Sequence, residues 1–187
     1  FTIQVSVYGV LFYLPTRIAE LLGTGIGLKV GALTSIPWIA TVCMLYLVTR
    51  HADRKGQQTR YAALMLAMAA VGMIGSTLSG NLVLVIVAFC VAAAGFITVQ
   101  PLFWTLPTRF LGGAAAASGI AVIGALGNLG GFLAPTVKTW AEQHFNNPHA
   151  GMYFLAGMAL LGALMLVRSA RAGREPGKLS APTPTPH

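Results

Sequence analysis

With 187 residues, 56% of them hydrophobic and only 9% charged, the chain lies far below the about 25% charged residues of soluble domains and is not an ordinary water-soluble globule. Its net charge of +8 does not make it a nucleic-acid binder, because the basic residues are spread over short polar segments and the C-terminal end, not along one folded face. The composition predicts an all-α, polytopic membrane protein.

Residues 1–14 are apolar, yet at 1.5 Å per residue they cover about 21 Å of a hydrocarbon core ~30 Å thick. Either this first helix continues past Pro15, with Arg17 and Glu20 paired on one face near the interface, or it starts upstream of Phe1. The chain opens on apolar residues without a basic leader, so it reads as a piece whose N-terminal part is missing. A glycine-dense loop follows around residues 23–28. The second predicted span is 29–49 and contains Pro37, which membrane helices tolerate as a kink. Arg50-His51-Ala52-Asp53-Arg54-Lys55-Gly56 reads as a polar turn dense in positive charge. The third span is 61–78, Ser79-Gly80-Asn81 is a tight turn, and the fourth span is 82–106.

A turn marked by Pro107, Arg109, Gly112 and Gly113 leads to the fifth span, 114–137. There Gly127 and Gly131 form a small-xxx-small pair that lets another helix approach closely. Residues 138–150 read as a polar loop, and 152–167 as the sixth span. The predicted organisation is a six-helix transmembrane bundle over 1–168. A basic tail over 169–187 becomes Pro/Thr-rich (Pro182, Pro184, Pro186) and is expected to be disordered.

Six spans put both ends on one side of the bilayer. That side collects Arg50, Arg54, Lys55, Arg60, Arg109, Arg168, Arg171, Arg174 and Lys178, against Arg17, Lys29 and Lys138 on the other. The bias predicts that the Asp53 turn and the C-terminus are cytoplasmic.

Candidate chemistry is sparse. No ionisable residue lies deep in a predicted span, and His51, His144, His149 and His187 all fall outside them. Cys43 and Cys90 sit in apolar runs and read as small buried hydrophobes. There are no paired carboxylates, no metal-ligand spacing and no phosphate loop, so neither an enzyme nor a cofactor is expected. What remains is neutral and polar. Gln4, Tyr8 and Phe12 recur every four residues on one face, as do Gln100 and Trp104, and Asn128 stands in a glycine-dense helix. Such groups bind hydroxyl and carboxylate oxygens without a fixed charge. An amide at membrane depth is costly unless it meets a partner or a wet cavity. Tyr8, Gln100, Trp104 and Asn128 are therefore the expected substrate-cavity residues, while Gln4 and Phe12 read as packing.

Two motifs carry a resemblance. Asp53-Arg54-Lys55-Gly56 resembles the Asp-Arg-x-Gly core of the cytoplasmic gate loop of major facilitator superfamily transporters, with Thr49 where that motif has glycine and Gln57-Gln58 where it has a basic pair. Tyr8-Gly9-x-x-Phe12-Tyr13-Leu14-Pro15, Phe103-Trp104-Thr105-Leu106-Pro107 and Gly127-Asn128-Leu129-Gly130-Gly131 resemble helices seven, ten and eleven of the anion:cation symporter branch. The resemblance implies a C-terminal six-helix half in a bacterial inner membrane. The complete transporter would move a small organic anion, such as a sugar acid or a hydroxy- or aromatic carboxylate, with a proton or another cation. It further implies that Asp53, Arg54 and Gly56 form the gate loop. The missing N-terminal six-helix half would supply the charged groups, so the fragment alone is expected not to transport. The alternatives are a facilitator for a sugar, drug or amino acid, and a non-transport six-helix scaffold.

Overall fold

The computed structural model describes residues 1–23, 25, 27–110 and 113–172. The described chain is helical throughout: α1 Thr2–Leu22, α2 Leu28–Lys55, α3 Gln58–Leu78, α4 Leu82–Phe110, α5 Gly113–His144 and α6 Ala150–Ala172. Among the described residues all six helices are long and apolar enough to cross a bilayer. Connections of a few residues reverse the direction from each helix to the next.

The helices are longer than the apolar runs that announce them. α1 passes straight through Pro15 and ends at Gly23, which takes a left-handed φ of 62°. The expected i,i+3 pair is present, with Arg17 Nη1 3.2 Å from Glu20 Oε2. The charged run 50–55 is not a turn but the last turns of α2. Nothing in Arg-His-Ala-Asp-Arg-Lys breaks a helix, and Arg54 and Lys55 sit favourably at the negative end of its dipole. The break comes at Gly56, with φ 60°. Gly56 and Gln57 alone then join α2 to α3.

Likewise the first part of the expected 138–150 loop is helical. Lys138 Nζ lies 2.8 Å from Glu142 Oε1 one turn on, and Ala141 is fully buried. At 1.5 Å per residue, the 28 residues of α2 and 32 of α5 reach roughly 42 and 48 Å, so their charged ends extend past a ~30 Å core. α6 runs four residues beyond the predicted bundle boundary at 168, to Ala172. The rest of the tail and Gly112 lie outside the described residues.

Internal prolines coincide with threonines that donate back to the helix. Thr16 Oγ1 donates to Tyr13 O (2.7 Å), Thr41 Oγ1 to Pro37 O (2.7 Å), Thr105 Oγ1 to Leu102 O (2.8 Å) and Thr139 Oγ1 to Pro135 O (2.9 Å). These bonds satisfy each hydroxyl within its own helix, as Thr49, Ser76 and Thr77 also do, and do not reach the carbonyls four residues before the prolines.

The core is built on α3 and α4, with α6 beside α3 and α1 closing over α4, α5 and α6. Phe89, Phe96, Leu14, Ile18, Leu66 and Met73 are its largest fully buried side chains. α3 and α4 touch almost backbone to backbone. A Cβ on Gly72 would stand 2.5 Å from Ala92 N and 2.6 Å from Ala88 O, and one on Gly95 would press on Met65 O. α1 meets α6 through Ser6, whose hydroxyl is shared between Thr2 O (3.0 Å) and Leu155 O (3.2 Å). By contrast α2 and α5 keep most of their apolar surface bare, with Ile39, Val42, Leu129 and Phe132 all exposed.

Candidate functional site

The glycines of α5 decide how near α1 comes. A Cβ on Gly127 would stand 3.3 Å from Gln4 Cγ, one on Gly130 2.9 Å from Phe1 O, and one on Gly131 2.5 Å from Tyr8 Cδ2. α1 therefore lies along a flat strip of α5, and Gln4 is carried past Gly127 to the neighbourhood of Asn128.

Here the four helices enclose a cavity of about 320 Å³, within the ~300–1,000 Å³ range of small-molecule pockets. α1 contributes Thr2 and Gln4, α4 contributes Gln100, Phe103 and Trp104, α5 contributes Gly124, Gly127 and Asn128, and α6 contributes Met165 and Leu166. The lining comes from the first turn of α1, the last three turns of α4 and α6, and the middle of α5. Alternating helix direction puts those ends on the same side as the Asp53 turn, so the cavity occupies the half of the bundle nearest that turn.

The wall is neutral, since no ionisable side chain belongs to the described lining. Its polar groups are the amides of Gln4, Gln100 and Asn128, the Thr2 hydroxyl and the Trp104 indole. Trp104 packs edge-on to Phe103 (centroids 5.8 Å apart), and its Cη2 lies 4.0 Å from where a Cβ on Gly124 would stand. The absent side chain thus leaves room beside the indole. Gln4 Oε1 is buried without a hydrogen-bond partner. An acceptor stranded in that way costs ~1–3 kcal/mol until a donor meets it. The amides of Gln4, Gln100 and Asn128 carry both donors and acceptors, so the wall can meet a polar ligand without a fixed charge.

Of the residues singled out in the sequence, Gln100, Trp104 and Asn128 are brought together on this wall. Tyr8 is not part of it. Its ring covers Gly131 and stacks on Phe12 at 6.3 Å, one turn further along α1. Gln4, expected to pack, lays its stem on Gly127 and also lines the cavity. Its spacing from Tyr8 marked the correct helix but not which way the face turns.

At the nearby end, Asp53 and Arg54 are exposed on the last turn of α2, and Gly56 supplies the left-handed reversal. Asp53 Oδ1 accepts from the buried Gln58 Nε2 at 3.1 Å. Gln58 holds the carboxylate where the related loop carries a base.

The model for the Major Facilitator Superfamily matches residues 1–135. The chain belongs to this superfamily. Among the relatives of this facilitator is the inner membrane transport protein RhmT of Escherichia coli K12, 47% identical over 167 residues, which covers 88% of the chain and 38% of the relative. A protein of Agrobacterium vitis provisionally named a tartrate transporter is 34% identical over 155 residues (83% of the chain, 36% of the relative). A quinolone resistance transporter of Acinetobacter baumannii is 35% identical over 163 residues (87% and 37%). The chain spans a little over a third of the length of these relatives. They are transport proteins, not enzymes, and with its six apolar helices the facilitator is an integral membrane protein.

Proposed function

We propose that this facilitator chain is the C-terminal six-helix half of a secondary transporter that carries a small organic anion across the bacterial inner membrane by alternating access, coupled to a proton or another cation. The observation that carries the reading is the grouping of three amides, Gln4, Gln100 and Asn128, on a cavity whose described lining carries no charge. Such a wall recognises the hydroxylated, neutral part of a solute. Its carboxylate then meets basic groups on a complementary half, and two such halves rock about the shared site. In this reading Asp53, Arg54 and Gly56 form the cytoplasmic gate turn, and the C-terminus is cytoplasmic. The Agrobacterium relative, named for a dihydroxy dicarboxylate, supports the class of solute.

The test is uptake of labelled tartrate and a panel of hydroxy acids by proteoliposomes holding the full-length protein, with and without an imposed proton gradient. Gradient-driven uptake of one of these acids is the expected result. Asn128→Ala and Gln4→Ala are each expected to lower it about 5- to 150-fold, the equivalent of ~1–3 kcal/mol for a lost hydrogen-bond partner, with the thermal midpoint kept within a few degrees. Movement of neutral sugars or quinolones instead, with the acids ignored, would replace this reading by a facilitator of another solute class.

A further inference from the structure

The glycines of α5 are not all there for the same reason. A Cβ on Gly130 or Gly131 would run into Phe1 O or the Tyr8 ring, and one on Gly127 would stand 3.3 Å from Gln4 Cγ. Close packing of α1 accounts for these three. Gly124 is different. A Cβ there would have Trp104 Cη2 at 4.0 Å, an ordinary van der Waals contact, and among the described residues no other helix comes nearer. Alanine would fit this chain at 124 and would suit the helix better, since glycine is the poorest helix former after proline. What the missing side chain leaves open is cavity, because Gly124 and Trp104 both line it.

The level of this gap follows from the helix geometry. Gln100 and Trp104 stand one turn apart on α4, as do Asn128 and Gly124 on α5, and the two helices run in opposite directions. With Trp104 beside Gly124, Gln100 is level with Asn128. The cavity thus has two tiers about 6 Å apart, four residues at 1.5 Å each. One holds the amides of Gln100 and Asn128, with Gln4 beside Gly127. The other, nearer the Asp53 turn, holds the Trp104 indole and the bare main chain of Gly124. A solute held by its oxygens at the amides reaches the second tier only if its carbon chain is long enough to pass along the indole, a broad apolar surface.

We infer that Gly124 sets the length of solute the cavity admits. Carrying no side chain, it leaves a slot between α5 and the Trp104 ring for the carbon chain of a hydroxy acid longer than four carbons, with the six-carbon sugar acids as the class that fills both tiers. This selection rests on the cavity being the solute site proposed above, and not on the coupling ion.

The test is uptake of labelled erythronate and gluconate, acids of four and six carbons, by proteoliposomes holding the full-length protein or its Gly124→Ala variant. The ratio of gluconate to erythronate uptake is expected to fall about tenfold or more, the scale of one methylene in a fitted pocket, with erythronate uptake changed little. Gly124→Ser should shift the ratio alike, because bulk and not polarity closes the slot. The thermal midpoint of Gly124→Ala should hold or rise, whereas that of Gly131→Ala falls. An unchanged ratio, or wild-type uptake of erythronate without gluconate, overturns the inference. So does a midpoint lowered as in Gly131→Ala, which would mean that Gly124 serves packing against another part of the full-length protein. Movement of neutral solutes with both acids ignored would end the organic-anion reading alone, and Gly124 is then judged by the same ratio between sorbitol and erythritol.

Discussion

Two glycine-lined seams run through this bundle and serve opposite ends. Between α3 and α4, Gly72 and Gly95 are pressed against main-chain atoms of the facing helix. Between α1 and α5, Gly127 and Gly131 meet the side chains of Gln4 and Tyr8, and of the three glycines there Gly130 alone meets main chain, at Phe1 O on the end of α1. Main chain yields only by moving its whole helix, since bending it locally breaks its own hydrogen bonds, so the first seam is stiff. Side chains can rotate, so the second can adapt, and the cavity lies on the second. The lesson is that close glycine packing does not by itself mean rigidity; what the glycine faces decides it.

That contrast can be broken experimentally. The largest effect is expected from Gly72→Val, which places carbon atoms inside the main chain of α4. A loss at or above the ~1–3 kcal/mol typical of overpacking should abolish the monodisperse peak in size-exclusion chromatography of the full-length protein. Gly131→Ala should cost only about 1–2 kcal/mol, because the Tyr8 ring can swing aside. Tyr8→Ala in the same chain should recover most of the lowered thermal midpoint, a coupling that a double-mutant cycle measures. If the two glycine variants lose equal stability, the distinction between the seams fails. Ser6→Ala removes a hydroxyl shared between two carbonyls and is expected to cost about 0.6 kcal/mol, the average for helix-to-helix hydrogen bonds in membranes. Smallest of all is Lys138→Gln. The Lys138–Glu142 pair joins residues of one helix, so the thermal midpoint should move by the equivalent of about 0.3–0.5 kcal/mol. A much larger shift would mean that the contact of Lys138 Nζ with the Tyr13 ring, 4.9 Å from its centroid, ties α5 to α1.

The number and order of the spans were legible because each is an apolar run too long for anything but a membrane helix. The turn at Ser79-Gly80-Asn81 was legible for local reasons: Asn81 Oδ1 accepts from Val83 N at 2.9 Å, as an asparagine at a helix start does. Helix ends were misjudged at 50–55 and 138–144 because charge was taken as a sign of chain reversal. Charge reports water, not backbone direction; the reversal belongs to Gly56, and in α5 the i,i+4 pair prolongs the helix. Within the cavity, four-residue spacing put Gln100 and Trp104 on one side of α4, and the structure sets both on the wall. Gln4 packs on Gly127 and also lines the cavity, and that second place was not legible because its surroundings come from α4, α5 and α6, which no local pattern brings together. Tyr8 shares its helical face, but the rise of one turn lifts it past the cavity and onto Gly131.

The shortness of the α2–α3 connection carries a mechanical consequence. With only Gly56 and Gln57 between the helices, their ends at that side have no slack and must travel together. The residues between α5 and α6, from Phe145 to His149, form a longer tether on the opposite side. Breathing within this bundle is thus pivoted at the charged end and widest at the far one, like shears riveted near the handle. Amide exchange should accordingly be faster at 145–149 than at the Asp53 turn, with the buried α3–α4 core slower than either.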